Sequence, residues 1–148
     1  MVDSSVVLNL IFETELTEKA LRIISLLEYP AVSETVIDEC VYVTLRRGAS
    51  KLGVKNIHEL KRFLKTEQGR SLLQKSTEKV LSFIASYQME VVKDPDIFLA
   101  LSIAEKYGLL LHDAKIIGSM IENGITKLAT LDKDFQGIPI IELLKTEK

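Results

Sequence analysis

The hydrophobic positions of this chain follow two patterns that alternate along its length. Short apolar runs, of the kind that form buried strands, are followed by longer stretches in which apolar residues recur every three or four positions, as on one face of a helix. The predicted strands cover residues 2–3, 31–32, 89–92, 127–131 and 137–141. The predicted helices cover residues 6–12, 16–28, 34–47, 57–65, 69–87, 95–107 and 113–122. This alternation predicts an α/β domain with a central, mainly parallel sheet.

Residues that typically begin or end helices support several of these boundaries. Ser33 is a predicted N-cap of the third helix, and Gly48 is predicted to end it. Asp94 followed by Pro95 predicts a cap and a first helical position, and Gly108 is predicted to close the helix that they begin.

Composition places the chain among ordinary globular proteins. Hydrophobic residues make up 47% of its 148 residues and charged residues 27%, and no repeat or linker divides it, so residues 1–148 are predicted to form a single domain. No apolar run approaches the roughly 18 residues of a membrane span, and the first residues lack the pattern of a secretion signal. Cys40 is the only cysteine, which excludes an internal disulfide and a cysteine-cluster zinc site. We therefore expect a cytoplasmic protein.

The net charge of −2 conceals an uneven distribution of charge. Residues 46–79 carry ten Lys or Arg and three acids, a balance of +7, and the rest of the chain carries −9. A basic helical segment at about 46–87 within an acidic body is a plausible binding surface for a polyanion. Solvated helices with lysine-rich outer faces explain the same pattern, and the sequence does not decide between the two.

Four carboxylates lie where regular elements begin or end. Asp3 and Asp132 are each placed just past a predicted strand, and ligand sites in parallel sheets lie beyond the carboxyl ends of strands. Asp113 is predicted to begin a helix, where exposed N–H groups stabilise its charge. On a helical projection Glu39 borders the apolar face of its helix, whereas Asp38 points to solvent. Taken singly, each has an ordinary explanation as a cap, a turn residue or a surface acid.

Taken together, the four acids predict a metal site. Neighbouring carboxylates repel by about 4 kcal/mol per pair at 4 Å and an effective dielectric constant near 20. Mg²⁺ or Mn²⁺, which prefer oxygen ligands, relieve that repulsion. A metal held in this way activates water and stabilises charge on a phosphate that is being cleaved.

At these positions the sequence resembles the PIN domain family, and within it the VapC-type toxins of toxin–antitoxin pairs. The resemblance extends over nearly the whole chain in order and spacing, and its most specific part is the C-terminal Asp-Ala…Thr-x-Asp-x-Asp-Phe stretch. The matching segments are Val2-Asp3-Ser4-Ser5, then Ser33…Glu39…Tyr42-Val43…Arg46, then Leu111-His112-Asp113-Ala114…Thr130-Leu131-Asp132-Lys133-Asp134-Phe135.

The resemblance implies a three-layer α/β/α sandwich and a Mg²⁺- or Mn²⁺-dependent endoribonuclease acting on RNA. It also implies a homodimer and a small antitoxin partner that blocks the site. The implied site comprises an acidic quartet, an accessory metal-binding acid and two supporting hydroxyls: Asp3, Glu39, Asp113 and Asp132, then Asp134, then Ser5 and Thr130.

Two departures from the family pattern qualify this interpretation. Few residues precede Asp3, so we expect it to be held less firmly than in other members. The basic segment is longer than a minimal domain needs, and we hypothesise that Lys61, Arg62 and Lys65 contact RNA. An RNA-processing nuclease and a catalytically inactive RNA- or protein-binding module remain alternatives to a toxin. A phosphatase or phosphoacceptor domain ranks last, because no Asp-x-Asp follows the first strand.

Overall fold

The computed structural model of the chain describes residues 1–145, and its regular elements are seven helices and four short strands. The helices are α1 (Ser4–Phe12), α2 (Thr17–Ile24), α3 (Glu34–Lys51), α4 (Ile57–Phe63), α5 (Glu67–Ser86), α6 (Ile97–Tyr107) and α7 (Leu111–Glu122). The strands are β1 (Ala31–Ser33), β2 (Glu90–Val92), β3 (Lys127–Leu128) and β4 (Glu142–Leu143). Within residues 1–145, every helix is too short or too polar to cross a bilayer.

The strands form two parallel pairs that the first three residues join. β1 pairs with β2, and β3 pairs with β4. Between the pairs, the N–H of Val2 donates to the carbonyl of Ala31 (2.8 Å) and that of Asp3 to the carbonyl of Ala129 (2.9 Å). Val2 and Ala129 also form a parallel bridge. The predicted α/β class with a mainly parallel sheet and three layers is therefore confirmed.

Two apolar clusters hold the helices in place. The larger one packs α1, α2, the first half of α3, the second half of α5, α6 and α7 against the strands, and Val2, Cys40 and Leu128 are completely buried in it. The smaller one, formed by Leu45 and Leu60 with neighbouring residues, holds the second half of α3 against α4 and α5. The helices of the basic segment therefore pack around the smaller apolar cluster, and their Lys and Arg side chains lie around it.

The predicted end of α3 at Gly48 is wrong, because the helix continues through this glycine to Lys51. A Cβ at position 48 would lie 2.9 Å from Leu72 of α5. Gly48 therefore permits the close approach of two helices and does not cap one of them. The left-handed glycine lies further along, at Gly53, with φ +86°.

The predicted start of α6 is also shifted. Its cap is Asp96, whose carboxylate accepts from the N–H of Phe98 at 2.9 Å, and the helix begins at Ile97. Pro95 lies between two aspartates, either of which suits a cap, and Asp94 is engaged elsewhere. The closing glycine was predicted correctly, since Gly108 adopts φ +67° at the C-cap.

Two further boundaries near the C-terminal half differ from prediction. α7 begins at Leu111, so Asp113 lies inside its first turn and does not cap it. The last strand is Glu142–Leu143 rather than 137–141, because Gly137 adopts φ +81° and residues 137–141 form turns and bends before the pairing with β3 begins.

Candidate active site

Asp3 is buried at the end of the N-terminal strand segment, where three hydrogen bonds fix one oxygen of its carboxylate. Its Oδ2 accepts from the hydroxyl of Ser5 (2.5 Å), the hydroxyl of Thr130 (2.8 Å) and the backbone N–H of Ser5 (3.3 Å). Within residues 1–145 its Oδ1 accepts no hydrogen bond, so that oxygen has free lone pairs. The expectation of a loosely held Asp3 is therefore wrong, because backbone and side chain are both anchored.

The two hydroxyls link Asp3 to the loop that carries Asp132. The Ser5 oxygen accepts from the N–H of Leu131 at 2.9 Å, and the Thr130 oxygen accepts from the N–H of Asp132 at 2.9 Å. Each hydroxyl thus donates a hydrogen bond to the Asp3 carboxylate and accepts one from a backbone N–H of the loop after β3. The sequence-predicted Ser5 and Thr130 lie next to Asp3 and can fix the position of that loop.

Asp113 is the carboxylate whose pKa is shifted most. It is 5% exposed. Burial raises the pKa of Asp113, the charges of Asp3, Asp132 and Glu39 also raise it, and His112 lowers it. The resulting pKa is about 6. The His112 Nε2 lies 3.3 Å from Asp113 Oδ1. Asp3, Asp132 and Glu39 are therefore close enough to Asp113 for their charges to act on it.

Glu39 reaches this group from α3, as the helical projection predicts. Its side chain is half-buried, whereas the adjacent Asp38 is exposed. Cys40, the next residue, is fully buried; burial raises its thiol pKa, and the negative charges of Glu39 and Asp3 raise it further. This turn of α3 therefore faces Asp3, and Cys40 is part of the core.

Asp132 and Asp134 lie on the exposed rim of the group. The N–H of Asp134 donates to Asp132 Oδ1 at 2.9 Å, so the backbone of one acid orients the carboxylate of the other. Asp134 is not among the charges that shift the pKa of Asp113. Three of the predicted acids thus lie near enough to Asp113 to affect its pKa, whereas Asp134 does not affect it.

The donor set suits a divalent ion. All four members offer carboxylate oxygens, which Mg²⁺ and Mn²⁺ prefer, and a cation would offset the negative charges that, after burial, raise the pKa of Asp113. Within residues 1–145, no three acidic, histidine or cysteine side chains are already arranged to hold an ion. The residue types and potential fit a divalent cation, and side-chain rotation would be needed to bring the oxygens to coordination distance.

Asp94 is a positioning residue that sequence reasoning assigned to a helix cap. Its carboxylate accepts from the N–H (2.9 Å) and the hydroxyl (2.7 Å) of Thr35 at the start of α3. It also lies 3.4 Å from the Lys115 ammonium of α7. Asp94 therefore links the helices that carry Glu39 and Asp113. The only sign of this role in the sequence was Asp96, a second aspartate that could cap α6 in its place.

The fold and this acidic group agree with a match of residues 1–141 to the PIN domain family model, and the chain belongs to that family. The predicted resemblance is thus confirmed. The chain is also similar to the protein named ribonuclease VapC6 of Methanocaldococcus jannaschii. The two are 30% identical over 150 residues, which cover 97% of this chain and 95% of that protein.

Proposed function

We propose that this protein is a Mg²⁺- or Mn²⁺-dependent endoribonuclease of the VapC type and acts as the toxin of a type II toxin–antitoxin pair in the cytoplasm. The observation that carries the proposal is the raised pKa of Asp113, which burial and the charges of Asp3, Asp132 and Glu39 raise against the opposing effect of His112. A buried acid among three others is costly for a free protein, and a bound divalent cation removes that cost. The similarity to a protein named ribonuclease VapC6 supports RNA as the substrate.

Each residue of the site has a task in this proposal. Asp3, Glu39, Asp113 and Asp132 would hold the ion, with Asp134 at the rim as an accessory ligand. Once bound, Mg²⁺ or Mn²⁺ supplies activation of water and stabilisation of charge on the phosphate. Ser5 and Thr130 donate hydrogen bonds to Oδ2 of Asp3 and hold its carboxylate plane in place. The position of the free Oδ1 is thereby fixed as well. Hydrolysis forms a new P–O bond from water and breaks one P–O bond of the backbone, and a proton passes to the leaving oxygen.

The first test is the cation dependence of RNA cleavage. We expect wild-type protein to cleave single-stranded RNA in Mg²⁺ or Mn²⁺ and to lose that activity in EDTA, because the carboxylates then repel one another and the phosphate. Cleavage is measured by gel electrophoresis of end-labelled RNA across a titration of each ion. Undiminished cleavage in EDTA contradicts the proposal. RNA binding without cleavage in any divalent ion would favour the binding-module alternative.

The proposed partners are a second copy of this chain and an antitoxin. α6 presents Ile97, Phe98 and Leu101 to solvent, with Phe98 76% exposed, and Leu110 is also exposed before α7. Apolar side chains grouped at the surface are typical of interaction sites, which supports a homodimer. The solution mass of the pure protein tests the dimer. Inhibition of cleavage by the product of an adjacent short reading frame tests the antitoxin and distinguishes a toxin from an RNA-processing nuclease.

Lys61, Arg62 and Lys65 remain proposed RNA contacts, and all three are exposed on or just after α4. Neutralising them together is expected to weaken RNA binding and to reduce its salt dependence, since each lost phosphate contact on a single strand lowers the slope of log K against log salt by about 0.7. Filter binding of RNA between about 50 and 200 mM salt, where such losses of affinity are large, measures the slope. A slope equal to that of wild type would exclude these three residues from the interface.

A further inference from the structure

A second group of charged side chains lies at the opposite end of α1 from Asp3. Phe12, the last residue of α1, is surrounded by Arg47 and Lys51 of α3 and by Lys75 and Lys79 of α5; we call these five residues the Phe12 cluster. The Arg47 guanidinium carbon lies 4.2 Å from the centroid of the Phe12 ring, and the Lys79 ammonium 5.2 Å. The ion pairs found within residues 1–145 involve none of these four cations.

Two adjoining cavities open beside this cluster. One of about 390 Å³ is lined by Phe12, Arg47, Lys51 and Lys79 together with a single acid, Glu13. The other, of about 180 Å³, shares those four residues and adds Lys75. The cluster is thus a concave surface with a strong excess of positive charge, and not merely a row of lysines along a helix.

Thr44 gives an independent indication that the smaller cavity takes a polar ligand. It contributes to the wall of that cavity and is 7% exposed. Within residues 1–145 its hydroxyl has no hydrogen-bond partner, although helical threonines commonly donate to the carbonyl four residues earlier. A buried polar group without a partner is costly, and a ligand oxygen reached by rotation of this hydroxyl would remove the cost.

Helices α1 and α3 each run from the Phe12 cluster to the acidic group. Asp3 caps α1 and Phe12 ends it, so nine residues at a rise of about 1.5 Å separate the two sites by roughly 13 Å. On α3, Glu39 and Arg47 are eight residues apart, or roughly 12 Å. A few nucleotides of an RNA strand span a separation of this size.

We propose that the Phe12 cluster binds phosphates of the RNA substrate a few nucleotides away from the bond that is cleaved, an inference that rests on the proposed ribonuclease function. Without a bound cation the acidic group repels an RNA backbone, and the whole protein carries a net charge of −2, so cationic surfaces outside the acidic group are expected to add affinity for RNA. The planar guanidinium of Arg47 suits bidentate contact with a phosphate, and the lysines add point charges around it. A polyanion anchored here can follow α1 and α3 to the carboxylates.

The test compares two double variants in an Asp113→Asn background, with EDTA present so that the RNA stays intact. Lys51→Gln/Lys75→Gln removes two cavity lysines that do not contact the Phe12 ring. Lys106→Gln/Lys127→Gln is the matched control, with two exposed lysines on α6 and β3. For a 12-nucleotide single-stranded RNA, we expect the first variant to bind at least about tenfold more weakly and its salt slope to fall by about 1.4, and the control to match the parent. Equal affinity and slope for both variants would overturn the proposal.

Two further measurements separate this proposal from its neighbours. Thr44→Val, which replaces the hydroxyl with a methyl group, is expected to weaken RNA binding by about fivefold without lowering the melting temperature, since the hydroxyl has no partner to lose. If polyglutamate binds in a manner that depends on Lys51 and Lys75 while RNA binding does not, the cluster serves an acidic protein partner and the proposal is overturned. Cluster-dependent RNA binding by a wild-type protein that cleaves nothing would contradict the proposed nuclease and its cleavage site, while the assignment of the Phe12 cluster as a phosphate-binding surface would be supported.

Discussion

Glu39→Gln is expected to reduce RNA cleavage by at least about 100-fold, and Asp38→Asn is expected to leave it within about twofold of wild type. The two changes both convert a carboxylate to an amide on consecutive residues of α3. The two side chains point in different directions, since Glu39 is half-buried toward the acidic group and Asp38 is exposed. The Glu39 charge acts on Asp113, whereas the Asp38 charge is not among those that shift the pKa of Asp113.

The measurement is the initial rate of cleavage at saturating Mn²⁺, with RNA affinity measured separately in EDTA. A loss of rate without a loss of affinity for Glu39→Gln would indicate that the glutamate acts on bound substrate. Rates close to that of wild type for both variants would remove Glu39 from the site. Equal losses would indicate a general effect of charge on this helix and would count against the specific role proposed for Glu39.

The position of Glu39 at the edge of the apolar face of α3 was predictable for a simple physical reason. Helical periodicity alone decides which of two adjacent acids borders the apolar face, and the structure buries Val36 and Cys40 on that face as expected. Asp3 and Asp132 were predictable for a similar reason, since the carboxyl ends of parallel strands share one edge of a sheet. These inferences needed only local spacing and one rule of topology.

Predictions that depended on contacts between distant segments were less successful. Gly48 resembles a helix end in sequence, but its role depends on Leu72, 24 positions further along the chain, which packs against it. Asp94 resembles a cap, but it bonds to Thr35 because β2 and α3 meet there. The Phe12 cluster draws on three helices, so the charge count of residues 46–79 indicated an excess of cations without locating it. Tertiary pairing supplies this information, and one sequence alone does not contain it.

Asp113→Asn is expected to abolish cleavage and, in EDTA, to stabilise the protein at neutral pH. Burial and the charges of Asp3, Asp132 and Glu39 raise the pKa of Asp113 from 3.8 to about 6, despite the opposing effect of His112. The folded state therefore binds this proton more tightly than the unfolded state. Its contribution to the free energy of unfolding is complete below about pH 4 and is lost as the pH rises through 6, at a cost of about 1–3 kcal/mol above pH 7. Asparagine cannot ionise, so the variant avoids that loss.

Melting temperatures of both proteins at pH 4 and pH 8 in EDTA measure this difference. We expect similar values at pH 4, where the aspartic acid is neutral, and a variant that melts several degrees higher at pH 8, on the order of what such a free energy gives for a chain of this size. Mn²⁺ at pH 8 should reverse the order, because it binds the folded wild type more tightly than the variant and stabilises it by mass action. A variant that is less stable than wild type at pH 8 in EDTA would mean that Asp113 does not lie in a pocket of negative potential. In that case the basis for a metal site would be lost together with its most perturbed ligand.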